Sequence, residues 1–152
     1  MADCRYRFTV GSTQNSNITV DYSTDGGVTW TPVSASNHLT VNPNDTLSIV
    51  LNGPSGWSLS GNVPVIITRA NGAASGQQYS PFQSGYVYYD VPTGNGSWNG
   101  TMWTASLSTV SSNPGRGNRT KFEVTVAFNA NLPGVNGSSY FSEDPEIDVI
   151  GN

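Results

Sequence analysis

Asn95-Gly96-Ser97-Trp98-Asn99-Gly100 sets an indole between two amides, and each amide is followed by a glycine. A sugar ring asks for that combination. Its C–H face stacks on an aromatic ring, and its hydroxyls need planar amide or carboxylate partners. Asn-Gly pairs set turns through left-handed backbone, and turns run over the surface. The spacing predicts a tight surface loop on which Trp98 stacks on a sugar while Asn95 and Asn99 read its hydroxyls. Trp57, Tyr79, Phe82 and Tyr140 also fall in Gly/Ser/Asn-rich stretches, and Tyr79 and Trp57 are expected as further walls of the site. The competing reading is a Trp98 that folds back and caps the end of the fold.

Other chemistry is thinner. The run Ser142 to Asp148 holds four of the ten acids. Clustered carboxylates with Ser and Asn oxygens nearby are what a hard cation requires, so Asp144, Glu146 and Asp148 are the expected ligands if Ca²⁺ binds. The spacing is not that of an EF-hand loop. Pro145 favours extended chain, which sends Glu146 and Asp148 to one side of it. An acidic edge strand that blocks edge-to-edge pairing would look the same. His38 is the only histidine and has no nucleophile-elbow context, and with Cys4 it makes no zinc pattern. A glycosidase needs two carboxylates facing each other at about 5–9.5 Å. Asp21, Asp90 and Glu123 are candidates, but any β domain would offer as many.

The elements that must carry these residues read as strands. Helical periodicity is never held for three turns, whereas period-2 alternation recurs. Cys4, Tyr6, Phe8 and Val10 alternate with Arg5, Arg7 and Thr9. Ile18, Val20 and Tyr22 alternate with polar residues, and Leu47, Ile49 and Leu51 follow. Val63–Thr68 is an almost continuous apolar run, entered at Pro64. Tyr86–Val91 comes next, then Trp103, Ala105 and Leu107. Phe122, Val124, Val126 and Phe128 form the cleanest inward face. Asn-Gly, Pro-Gly and Gly-rich breaks separate these runs. The expected fold is all-β: one domain over residues 1–152, a two-sheet antiparallel β-sandwich of about eight or nine strands, with jelly-roll or Ig-like Greek-key connections. Tyr6, Phe8, Tyr22, Trp30, Trp103, Phe122 and Phe128 are its expected core aromatics.

Between two of the runs stands Ser23-Thr24-Asp25-Gly26-Gly27-Val28-Thr29-Trp30, or S-x-D-x-G-x-T-W. Glycine at such a turn supplies the positive φ that a tight hairpin needs. The octet resembles the Asp-box of sialidases and other β-propellers. That resemblance implies a hairpin whose Asp folds back onto its own backbone and whose Trp packs under the turn, in a structural role away from any catalytic site. It covers eight residues and occurs once, and a propeller needs repeated blades.

Composition narrows the partners. Only 11% of residues are charged, the formal net charge is −4, and Lys121 is the only lysine. Five scattered arginines and one lysine are too few to displace counterions from phosphates, which disfavours nucleic acid. No segment approaches the roughly 20 apolar residues of a membrane span. A single cysteine excludes an intrachain disulfide. The opening residues show no apolar signal segment, so the chain is expected to be cytoplasmic as encoded, with a neutral polar surface that would also suit an extracellular role. The functional expectation is a non-enzymatic, lectin-like domain that binds a glycan or glycoconjugate. The alternative is a structural or self-assembling coat, fibre or inclusion-type subunit, for which a homo-oligomer is expected. A small glycoside hydrolase is the weaker alternative.

Overall fold

The computed structural model describes residues 2–11, 18–42, 45–61, 64–70, 89–90, 96–106, 119–141 and 146–150. Within strands, the description is of backbone alone for 68–70, 89–90, 96–98, 105–106, 119–122, 135–141 and 146–150. Every regular element among these residues is a strand. Thirteen are present: β1 (Asp3–Thr9), β2 (Thr19–Ser23), β3 (Thr31–Pro32), β4 (Leu39–Val41), β5 (Thr46–Asn52), β6 (Ser58–Leu59), β7 (Val65–Ala70), β8 (Tyr89–Asp90), β9 (Gly96–Asn99), β10 (Met102–Ser106), β11 (Arg119–Leu132), β12 (Val135–Phe141) and β13 (Glu146–Ile150). Nine of them run four residues or longer.

Two sheets result. One has the order β3-β2-β1-β5-β10-β9. The other runs β4-β13-β11-β7-β8, with β12 and β6 also paired to β11. The 14-residue β11 is long enough to serve two sets of neighbours. Its first part pairs with β13 and β7, and its last part with β12 and β6.

The sheets are mixed rather than purely antiparallel, which corrects the sequence expectation. β1 pairs parallel with β5, and β4 pairs parallel with β13. Parallel neighbours need a long crossover. Here the chain between β1 and β5 passes through β2 and β3 and then β4, which belongs to the other sheet.

Alternation is what builds the core. Along β1, Cys4, Tyr6 and Phe8 are buried while Asp3, Arg5, Arg7 and Thr9 face the other way. Leu47, Ile49 and Leu51 do the same on β5, and Val124, Val126, Phe128, Ala130 and Leu132 on β11. These residues belong to one buried cluster drawn from both sheets, completed by Leu39, Val41, Ile66 and Trp103. Burying each large aliphatic or aromatic side chain contributes about 1.5–3 kcal/mol. One polar contact also crosses between the sheets: the Leu39 N–H of β4 donates to the Tyr6 hydroxyl of β1 at 3.0 Å.

Candidate functional site

The turn between β2 and β3 is organised by one carboxylate. Asp25 Oδ1 accepts from the Val28 N–H at 3.1 Å, the Thr29 N–H at 2.9 Å and the Ser23 hydroxyl at 2.7 Å. Asp25 Oδ2 accepts from the Thr29 hydroxyl at 2.6 Å. Ser23 Oγ in turn accepts from the Gly27 N–H at 2.9 Å. These donors, the Thr29 hydroxyl first, hold the Asp25 carboxyl well below the usual carboxylate range. The turn tip also docks on the start of β1, where the Gly26 N–H donates to the Asp3 carbonyl at 3.1 Å.

This turn places Trp30 on the outer face of the six-stranded sheet, not in the core as its sequence pattern implied. The indole is half-buried. Its benzo edge lies over Gly27, where φ is +87° and a built Cβ would approach Trp30 Cζ2 to 3.1 Å. The guanidinium carbon of Arg7 sits 4.1 Å from its ring centroid. Arg7 is itself clamped, with Nη2 2.7 Å and Nε 3.3 Å from Asp21 Oδ2. The two side chains of this pair remain 28% and 23% exposed. Two residues along β1, Arg5 makes a two-point contact with Asp3, Nε to Oδ1 at 3.0 Å and Nη2 to Oδ2 at 2.8 Å. Those bonds hold the Asp3 carboxyl below its ordinary value. Arg5 Nη1 reaches the sulfur of Met102 at 3.7 Å.

Register extends this face across the sheet. Asp21 pairs with Arg7, Arg7 with Val50, Val50 with Met102, and Met102 with Asn99. The row spans four inter-strand steps, about 19 Å at roughly 4.8 Å each. It reads as a charged pair at one end, two half-buried apolar side chains in the middle and an exposed amide at the other end.

The loop expected around Trp98 is a strand. Trp98 lies in β9, directly opposite Trp103 of β10. Neighbouring strand positions alternate between faces, so the register position of Trp98 is on the face of buried Trp103, and that of Asn99 is on the other. Asn99 is exposed, at the entry to a two-residue turn whose Gly100 has φ +61°. Asn95 and Tyr79 lie outside the described residues. Trp57 is half-buried and packs against the core. Its ring lies flat on Gly53, where a built Cβ would come within 2.5 Å of Trp57 Cγ.

The acidic run is described only in part. Asp144 lies outside the described residues. Glu146 and Asp148 sit two positions apart on the backbone of β13, in register with Glu123 and Lys121. Among the described residues, no three His, Cys, Asp or Glu side chains come together as a metal site. The glycosidase candidates Asp21 and Glu123 belong to different sheets, and Asp21 is committed to Arg7. Cys4 is buried, with its thiol 3.9 Å from Asp45 Oδ2. Burial first, then the charges of Asp45 and Asp3, pushes that thiol up to about 12, which makes it inert at neutral pH. No described helix is long and apolar enough to cross a membrane.

Sequence reasoning missed Arg7, held by Asp21, as the partner of Trp30. The signal was present in part, because Arg5 and Arg7 alternate with the core residues of β1. No known protein-family model matches the chain, and no curated protein is detectably similar to it.

Proposed function

We propose that the chain is a non-enzymatic carbohydrate-binding β-sandwich, lectin-like in function, whose ligand lies across the outer face of the six-stranded sheet. The observation that carries this reading is the Trp30–Arg7–Asp21 cluster. It combines an aromatic surface, a planar donor fork and a carboxylate acceptor on an accessible sheet face. Val50 and Met102 continue it as an apolar strip for sugar C–H groups, and Asn99 adds an amide at the far end. The face carries two arginines and two aspartates in pairs, so it holds hydrogen-bonding groups without net charge. The sandwich part of the reading rests on the buried cluster shared by the two sheets and on the Tyr6–Leu39 contact between them. The Ser23–Trp30 turn is read as an Asp-box-type hairpin that serves as scaffold, with Asp25 fixing the loop that carries Trp30.

The test is intrinsic fluorescence titrated with oligosaccharides, run beside a glycan array. Trp30 is half-exposed and Trp103 buried, so ligand on the outer face should perturb the Trp30 signal. Aromatic stacking of this kind contributes about 1–3 kcal/mol by analogy with base–aromatic stacking. Trp30→Ala should therefore weaken binding tenfold or more. A chain that ignores every glycan but forms larger species as its concentration rises is a self-assembling subunit, and the lectin reading then falls.

A further inference from the structure

Resting on that reading, we infer that the ligand is an internal stretch of a straight, neutral polysaccharide chain laid across the strands, not a single terminal sugar. Three rows of the six-stranded sheet carry the inference. The middle row is Asp21, Arg7, Val50, Met102 and Asn99, with its polar groups at the two ends and its apolar pair at the centre. Thr19, Thr9 and Asn52 form the row on one side. Arg5, Ser48 and Thr104 form the row on the other. Side chains two apart on a strand share a face, so Val50 lies between Ser48 and Asn52 on β5, and Met102 lies beside Thr104 on β10. The Ser48 and Thr104 hydroxyls bond to each other at 3.0 Å. Ser48 is itself covered, while Thr104 is exposed and Asn52 half-buried. Val50 and Met102 thus make an apolar strip one row wide, with hydroxyl and amide side chains on its flanks.

An extended chain of hexoses has the matching profile. Its flat faces present C–H groups, and its hydroxyls point out along the two edges. A coiled chain would leave the straight row. The protein side is set before a ligand arrives, which lowers the ordering cost of binding. Arg5 Nη1 holds the Met102 sulfur at 3.7 Å, and Asp21 and Trp30 together hold the Arg7 guanidinium.

Length follows from the strand spacing. The middle row crosses four inter-strand steps, and one pyranose ring covers about one step of roughly 5 Å. A single sugar reaches one end of the row only. About four units in line reach from the Trp30 end to Asn99. A sheet face also touches its ligand from one side, so each unit contributes little and affinity accumulates along the chain until the row is filled.

The experiment titrates the full chain with cello-, manno- and malto-oligosaccharides from biose to hexaose, beside the glycan array, reading tryptophan emission and calorimetric heat. The expected result is saturable binding of a straight series, cello or manno, that strengthens about tenfold or more from biose to tetraose and then levels off. The coiled malto series should be weaker at equal length. Asn99→Ala removes the far amide, so its penalty should grow with chain length up to the tetraose. Val50→Thr keeps the shape but sets a hydroxyl in the strip, and it should weaken tetraose binding several-fold. Melting temperatures confirm that each variant is folded. A biose that binds as tightly as the hexaose, or a malto series tighter than both straight ones, overturns the straight-chain assignment and leaves glycan recognition standing. An Asn99→Ala penalty independent of length, or full tetraose affinity in Val50→Thr, does the same. So does silence toward all three series when another glycan of the array is bound. Silence toward every series and the whole array overturns the assignment and the glycan reading together.

Discussion

Tyr6→Phe removes one oxygen atom from the centre of the molecule, and its cost follows from where that atom sits. The Tyr6 side chain is fully buried, and so is Leu39. The Tyr6 hydroxyl accepts the Leu39 N–H at 3.0 Å, and these two residues belong to different sheets. Phenylalanine fills nearly the same volume, so the transfer term is almost unchanged. What changes is that a backbone N–H in a dry interior loses its acceptor. An unsatisfied buried donor costs about 1–3 kcal/mol. For a chain of this length each kcal/mol shifts the melting temperature by about 2–4 °C, so a drop of roughly 2–12 °C is expected. Urea unfolding should show a lower midpoint with an unchanged slope, because the surface exposed on unfolding is the same. Hydrogen exchange adds a local readout, since the Leu39 amide should lose protection while amides of β11 change only with global stability. A Tyr6→Phe variant within 0.5 kcal/mol of the parent, with Leu39 still protected, would refute the contact and the apposition of β1 and β4 it implies.

Two further outcomes follow from the titrating groups. The Asp25 carboxyl is held below its ordinary range when folded, so its contribution to stability is present above about pH 4 and fades as pH falls toward the folded value. Asp25→Asn should therefore melt below the parent at pH 7, with the gap narrowing at pH 2.5, and scanning calorimetry at the two pH values checks this. The Cys4 thiol is raised to about 12 when folded, so its neutral form is favoured, and the stability it contributes is intact below its ordinary range and lost as pH rises through 9 toward 12. A disulfide reagent at pH 8 should label Cys4 only in denaturant, and fast labelling of the native chain would contradict its burial.

The strands were legible because most of them are one-sided. Cys4, Tyr6, Phe8 and Val10, and Val124, Val126 and Phe128, each alternate cleanly and each set is buried, and Leu47, Ile49 and Leu51 are buried on β5 although Ser48 between them is buried as well. Pairing was not legible. Nothing in the residues of β1 says that it lies parallel to β5, since that follows from β4 crossing to the other sheet. Two-residue strands such as β3, β6 and β8 carry no period at all. The Asp25 turn was readable down to its backbone acceptor role, because every bond it makes lies within four residues in sequence.

The site was harder for a reason that Trp30 and Trp98 share. On a strand, a shift of one position moves a side chain to the opposite face. Trp30 follows a turn whose residue count sets its face. Thr31 comes to pair with Tyr22 and Pro32 with Asp21, and that register leaves Trp30 on the side of Arg7. Trp98 precedes Asn-Gly, which marks a turn, but the turn begins one residue later, at Gly100, so Trp98 is paired into β9 opposite Trp103. Local composition identified both indoles as notable, but the face of Trp30 was set by strand register, which composition does not carry. Arg7 marks out Trp30. A guanidinium clamped by Asp21 can lie against an indole only where that indole stands on the polar face of the sheet, and Trp30 is the one it meets.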